Sequence, residues 1–233
     1  MTNFYNTQIL KNNVNYENMR TNIDMALVFY IIKFFKLSNI LEVGFNEGKT
    51  FGAMIEASPP NSRLTAIDIN PNMKLYDLFY KNTEMIKNKT IDIIKIDSLV
   101  FNPTCEYNLI NIDTAHTYPL TINEIEKYIH HLSRNGILML DDYAWEGVDK
   151  SIDEFLNKNK QWVPFLMGEQ TLFLHHVSHD AYEFIDETLE IFSSFCSLYN
   201  INYKSHFVKK VECLLAITQN DDIFELICQR YKI

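Results

Sequence analysis

The sequence predicts a doubly wound α/β fold with a mostly parallel sheet, on three observations. Short apolar runs alternate with amphipathic stretches, one run opens into the glycine turn Glu42-Val43-Gly44-Phe45-Asn46-Glu47-Gly48, and acidic residues stand where five predicted strands end. Alternating strands and helices imply a parallel sheet covered on both faces. Such a sheet collects its ligands at the carboxyl ends of its strands.

The elements follow in order. Apolar residues from Ile23 to Phe35 recur at helical spacing after Asn22-Ile23-Asp24, which reads as a capped helix start. Asn39 to Val43 reads as a buried strand, Thr50 to Glu56 as a short helix halted by Ser58-Pro59-Pro60-Asn61, and Arg63 to Ile69 as the second strand. A helix is expected from Pro71 to about Ile86, then strands at Thr90 to Ile96 and Asn108 to Asp113 with little more than a loop between them. Leu120 to Leu132 is amphipathic, and Asn135-Gly136 reads as its left-handed cap before a fifth strand, Ile137 to Leu140. Val148 to Phe155 reads as helical. Trp162 to Leu166 and Thr171 to Val177 flank Met167-Gly168-Glu169-Gln170 as a hairpin, expected to form an antiparallel edge. Beyond Ser178 the pattern becomes a helix (Ala181 to Phe195), a strand (Ser205 to Ile217) and a last helix (Asp222 to Tyr231).

This divides the chain into an N-terminal helical segment (1–36), a core (37–177) and a C-terminal α/β extension (178–233) that could cap the core or build a homo-oligomer interface. With 233 residues, 47% hydrophobic and 22% charged, the chain has material for one sizeable core. Its formal net charge of −9 argues against a nucleic-acid partner, since phosphate binding needs clustered Lys and Arg, and Lys209-Lys210 is a short run. The four cysteines show no metal or redox spacing, the start Thr2-Asn3-Phe4-Tyr5-Asn6 is too polar for a signal peptide, and the apolar stretch Met25 to Phe35 is too short to span a bilayer. A cytoplasmic protein without a membrane partner is the expectation.

The strand ends carry the chemistry. They offer Glu42 and Gly44, Asp68, Asp97-Ser98, Asp113 and Asp141-Asp142. Helix capping would account for one or two such acids, hardly for all of them. Glycine in the first turn lets a ligand approach the backbone, and Asp68 can accept two ribose hydroxyls. A nicotinamide cofactor would use the same acid, so the turn and Asp68 alone leave the cofactor open.

Four longer segments narrow the choice. Ile40 to Thr50, Leu64-Thr65-Ala66-Ile67-Asp68-Ile69-Asn70-Pro71, Asn108 to Tyr118, and Gly136 to Tyr143 with Trp145, Gly147-Val148 and Asp153-Glu154-Phe155 together resemble the class I S-adenosylmethionine-dependent methyltransferases. The likeness is greatest to the metal-dependent small-molecule O-methyltransferases of the catechol, caffeoyl-CoA and macrocin types. It runs from about Leu37 to Val177 and implies a Rossmann-like methyltransferase sheet.

On this resemblance Glu42, Gly44, Gly48 and Thr50 would surround the methionine part of S-adenosylmethionine. Asp68 would hold the ribose, and Asp97 and Ser98 would lie at the adenine. Asp113, Asp141 and Asp142 fall at the family's metal positions, where hard oxygens suit Mg²⁺. His116 falls where catechol-type relatives carry their base, beside a small hydroxylated acceptor; a merely structural role for it weighs equally. Thr114 replaces the family's usual glycine after Asp113, the missing helix between Leu99 and Tyr107 opens the adenine side, and Tyr143 and Trp145 could wall the acceptor. His175, His176 and His179 read as surface or packing residues on an edge strand. Two other readings stay open: a cofactor-cleaving or hydroxylase-like enzyme on the same fold, and a non-catalytic assembly protein.

Overall fold

The structure is a computed structural model that describes residues 20–79, 84–176, 193, 197, 204–208 and 214–218. In chain order these form α1 (Arg20–Phe35), β1 (Asn39–Val43), α2 (Lys49–Ala57), β2 (Arg63–Asp68), α3 (Lys74–Phe79), β3 (Thr90–Lys95), β4 (Tyr107–Ile112), α4 (Tyr118–Tyr128), β5 (Leu132–Leu140), α5 (Glu146–Lys158), β6 (Trp162–Met167), β7 (Leu172–His176), β8 (Lys204–Val208) and β9 (Leu214–Thr218). Single 3-10 turns occupy Glu84–Ile86 and Ile129–His131.

The nine strands make one sheet in the order β3-β2-β1-β4-β5-β7-β6-β9-β8. β3, β2, β1, β4 and β5 pair in parallel; β7 is antiparallel to both β5 and β6; β9 joins β6 in parallel and β8 antiparallel. The strand order reverses between β1 and β4, which opens a crevice at their carboxyl ends.

Period-2 alternation sorts the core into two layers. Ile40, Leu109, Ile137 and Met139 face a layer with Ile23, Leu27 and Ile31 of α1 and Phe51 and Met54 of α2. Leu41, Ile110, Leu138 and Leu140 face the other layer, with Ile125 of α4 and Ile152 and Phe155 of α5. Glu42 and Asn111 are register partners on neighbouring strands, at positions whose alternation turns them to the α1–α2 side.

Several expectations change. Helix α1 already includes Arg20, so Asp24 is an interior helix residue rather than part of a cap, and it is buried. Asn135-Gly136 does not cap α4, because both residues lie within β5. The β4–β5 register shifts between Tyr107↔Leu132 and Leu109↔Ile137, and this irregularity absorbs the polar residues. The helix expected from Pro71 to Ile86 is α3 followed by the 3-10 turn, with residues 80–83 outside the described residues. The strand expected from Ser205 to Ile217 is two strands, β8 and β9.

The β6–β7 hairpin is not an edge, since β9 and β8 continue the sheet beyond β6. That places His175 on an interior strand, where it is fully buried rather than at the surface; His176 packs edge-on against Trp162. The helices expected at 181–195 and 222–231, and His179, lie outside the described residues apart from the helical Ser193; Ser197, beyond the expected end at Phe195, is also helical. Among the described residues no helix is long and apolar enough to cross a membrane.

Candidate active site

The glycine turn is built by close approach. Gly44 has φ +99°, and a Cβ there would stand 1.7 Å from the carbonyl oxygen of Asp113. Gly48 has φ +74° and would drive a Cβ to 2.5 Å from the Phe45 ring. Positive φ and tight contact together require glycine at both positions. The Gly44 N–H donates to Ile67 O at 2.9 Å and the Asp113 N–H to Val43 O at 2.8 Å, so the turn is sewn to β2 and β4.

Asp68 completes this half. Its Oδ2 accepts the Asn46 N–H at 2.8 Å and its Oδ1 the Asn70 N–H at 2.6 Å. A carboxylate oxygen has two acceptor sites, so each retains one for a ribose hydroxyl. Asp97 Oδ1 accepts the Leu99 N–H at 2.7 Å and shapes a local turn, while the carbonyl of Ser98 is held by Tyr128 Oη at 2.5 Å and Lys127 Nζ at 3.0 Å. Beside these acids Ile69, Leu99 and Val100 are 68%, 44% and 63% exposed. These apolar side chains, left open at the ends of β2 and β3, suit a flat heterocycle; sequence reasoning passed over them.

Beneath the turn lies Glu42, at 1% exposure. Burial first, and then the negative charge of Asp113, push its carboxyl well above the usual carboxylate range. Asn111 Nδ2 donates to Glu42 Oε1 at 3.4 Å, whereas Glu42 Oε2 and Asn111 Oδ1 have no hydrogen-bond partner among the described residues. Two orphaned buried oxygens near the carboxyl ends of β1 and β4 fit a donor that a ligand brings, such as an ammonium. Asn111 was visible as a polar residue inside an apolar strand, but its partner was not.

At the ends of β4 and β5 the side chains converge. One ligating atom from each of Asp113, His116 and Asp142 lies within 4.8 Å of the others. His116 Nε2 stands 3.4 Å from Asp113 Oδ1 and 3.1 Å from Asp142 Oδ2. The hydrogen bond to Asp113 and the charge of Asp142 raise the imidazole pKa against the lowering effect of burial. His116 and Asp142 both take left-handed backbone, φ +55° and +51°. Strain of that kind persists where the surroundings over-determine it, and it concentrates at functional sites.

Asp141 is set apart from this cluster. Successive residues at the end of β5 alternate faces, so Asp141 follows Met139 toward α1 while Asp142 turns to His116. Asp141 lines a small cavity with Asp24, Thr50, Met139, Gln170 and Thr171, and burial with the charges of Asp113 and Asp24 raises its pKa well above normal. Asp24, buried on α1, is pushed up to about 7 by desolvation.

The aromatic pair divides similarly. Tyr143 is buried and donates to Gly168 O at 3.4 Å, so it packs rather than walls a pocket. Trp145 is 57% exposed with its ring 5.1 Å from that of His116. Thr114 donates its hydroxyl to Glu124 Oε2 at 2.6 Å, which fixes the loop that carries His116.

Residues 41–143 match the family model described as "Methyltransferase domain". This match, on a sheet whose first seven strands run 3-2-1-4-5-7-6, places an S-adenosylmethionine-dependent methyltransferase domain in the chain. Its fold is the Rossmann-like fold of the class I methyltransferases.

Among solved structures, a Staphylococcus aureus protein described as a caffeoyl-CoA O-methyltransferase is similar at 18% identity and TM-score 0.55, over 73% of this chain and 93% of that one. The Podospora anserina methyltransferase PaMTH1, solved with bound S-adenosylhomocysteine, is similar at 13% identity and TM-score 0.51, over 66% and 77%. A Clostridium thermocellum protein described as an rRNA methylase aligns at 16% identity and TM-score 0.51, over 66% and 96%. These likenesses concern the fold, which hosts many acceptors. No curated protein matches the sequence.

Proposed function

We propose that the chain is a cation-assisted O-methyltransferase for a small hydroxylated acceptor. The observation that carries this reading is that Asp113 serves two sites. Its carbonyl oxygen packs against Gly44 in the cofactor turn, and its carboxylate joins His116 and Asp142 in the cluster. Donor and acceptor sites thereby share a residue, the proximity that methyl transfer requires.

In this reading Glu42 and Asn111 receive the ammonium of S-adenosylmethionine on their orphaned oxygens. The amides of Lys49 and Thr50 at the start of α2 face its carboxylate, while the Gly48 N–H closes the turn onto Phe45 O at 2.7 Å; Asp68 takes the ribose hydroxyls, and Ile69, Leu99 and Val100 flank the adenine near Asp97 and Ser98. Asp113 and Asp142 supply hard oxygens that suit Mg²⁺, and the imidazole of His116 widens the fit to Mn²⁺. A divalent cation here would lower the pKa of an acceptor hydroxyl. Asp141, on the α1 side, stands outside this ligand set and lines the cavity beside it. The exposed face of Trp145 offers the acceptor an apolar platform beside it. The net charge of −9 favours a small acceptor over a nucleic acid.

His116 also supports a second reading. Its Nε2 lies 3.1 and 3.4 Å from the two carboxylates, so an imidazolium can satisfy them unaided and the neutral ring can act as a base without a metal. Methyl transfer to a panel of diols and sugars, assayed with EDTA and then with added Mg²⁺, separates the two. Activity that EDTA abolishes and Mg²⁺ restores supports the cation; chelation-insensitive activity lost on His116→Gln supports the base.

A further inference from the structure

Asp142 is gripped from two sides. Its Oδ2 faces His116, and its Oδ1 accepts a hydrogen bond from Gln170 Nε2 at 3.1 Å. An ionised carboxylate only accepts, so it is the amide nitrogen of Gln170 that faces it. Gln170 belongs to the turn between β6 and β7, and its backbone is tied at both ends. Its N–H approaches Asp24 Oδ1 and Oδ2 at 3.3 and 3.2 Å, and its carbonyl accepts the Tyr143 N–H at 3.1 Å.

Asp24 fixes the turn further by accepting the Thr171 hydroxyl at 2.8 Å. A Cβ on Gly168 would stand 2.1 Å from Asp24 Oδ1, so a side chain at that position would keep the carboxylate out. A continuous polar path therefore runs from the interior of α1 through the hairpin turn to the cluster.

We propose that Gln170 is a positioning residue for the Asp113–His116–Asp142 cluster, and that Asp24, by pinning the turn, couples the cluster to α1. This rests on the cation reading above. Asp142 sits at φ +51°, where local backbone preference does not set its orientation. A donor on Oδ1 fixes the carboxylate plane and leaves Oδ2 presented to the cluster. Outer partners of this kind typically alter metal affinity by about 10–100-fold when removed.

The test is a Mn²⁺ titration of the full chain, followed by the electron paramagnetic resonance of the free ion, for wild type and Gln170→Leu. S-adenosylhomocysteine affinity is measured beside it by calorimetry. The expected result is Mn²⁺ affinity lower by about 10–100-fold in Gln170→Leu, with S-adenosylhomocysteine affinity within about twofold. Equal Mn²⁺ affinity in the two proteins overturns the positioning role while leaving the cation reading intact. A wild type that takes up no Mn²⁺ overturns both. Should Gln170→Leu lose its cooperative melting transition, Gln170→Met, which keeps the unbranched chain, carries the same expectation.

Discussion

Around β1 and β2 the strand ends are shaped by backbone: two glycines at positive φ, amides on Asp68 and a carbonyl pressed against Gly44. Around β4 and β5 they are shaped by side chains from distant parts of the chain, with Gln170 reaching Asp142, Asp24 reaching the hairpin turn and Glu124 reaching Thr114. The first half tolerates almost no change of shape and is encoded within a short span. The second tolerates changes of shape but depends on charge and hydrogen-bond balance. Substitutions in the first half should therefore damage folding and cofactor binding together, whereas those in the second should separate chemistry from binding.

The largest effect is expected at Gly44. In Gly44→Ala the new Cβ meets the Asp113 carbonyl and the residue must hold φ +99°, so β1 and β4 have to separate. The cost is about 3 kcal/mol of stability, from strain and overpacking combined. Urea denaturation should show it, and calorimetry should show S-adenosylhomocysteine binding lost. A variant that melts and binds like wild type would mean the turn is not the rigid element described here.

Asp142→Ala probes the other half. Methyl transfer should fall by roughly 100-fold or more through loss of acceptor positioning, while S-adenosylhomocysteine affinity stays within a few-fold. Loss of cofactor affinity in parallel with activity would erase the division between the halves.

That division also explains what the sequence disclosed. The glycine turn, Asp68 and the succession of core strands and helices along the chain were legible because each is written in a local pattern: apolar period, glycine spacing, an acid at a strand end. His116, Asp113 and Asp142 were legible as candidates for the same reason. Their grouping was not, because alternation along a strand end turns Asp141 and Asp142 to different sides, and no composition rule says where a strand stops alternating. Asp24 looked like a helix cap because an acid near the start of an apolar stretch usually is one; only the burial of the hairpin turn on α1 gives it another task. Gln170 carried no signal at all, since a polar residue in a turn is ordinary. Asn135-Gly136 misled in the opposite direction, a strong cap pattern overridden by the β4–β5 pairing.

Asp24 sharpens the comparison through pH. Its folded pKa is raised from 3.8 to about 7, so the folded state holds a proton that the unfolded state releases. The associated stability is fully present below pH 3.8 and is lost as pH rises through about 7. Asp24→Asn removes this dependence, so the difference in stability, variant minus wild type, should climb between pH 4 and 8 and then level off. The climb is on the order of 4 kcal/mol for such a shift, and the amide's single acceptor oxygen lowers the whole difference by a pH-independent amount without changing the climb. Denaturation midpoints at pH 5 and pH 8 provide the reading; a pH-independent difference would remove Asp24 from the buried acids.

The smallest effect is expected at Thr114, where the family's glycine is absent. Thr114 is not among the residues at positive φ, so the loop does not need glycine, and the hydroxyl has a specific task in donating to Glu124. Glu124 is fully buried, and burial raises its pKa while the Thr114 hydroxyl counteracts the rise. Thr114→Val keeps the shape and removes the donor, at a cost of about 1 kcal/mol. The raised folded pKa of Glu124 makes its ionisation the unfavourable event, so the deficit of Thr114→Val should be larger at pH 8 than at pH 5. S-adenosylhomocysteine binding should be unchanged, because the hydroxyl acts on the loop that carries His116 and not on the cofactor turn. A deficit that is the same at both pH values would mean that Thr114 supports the loop by packing alone.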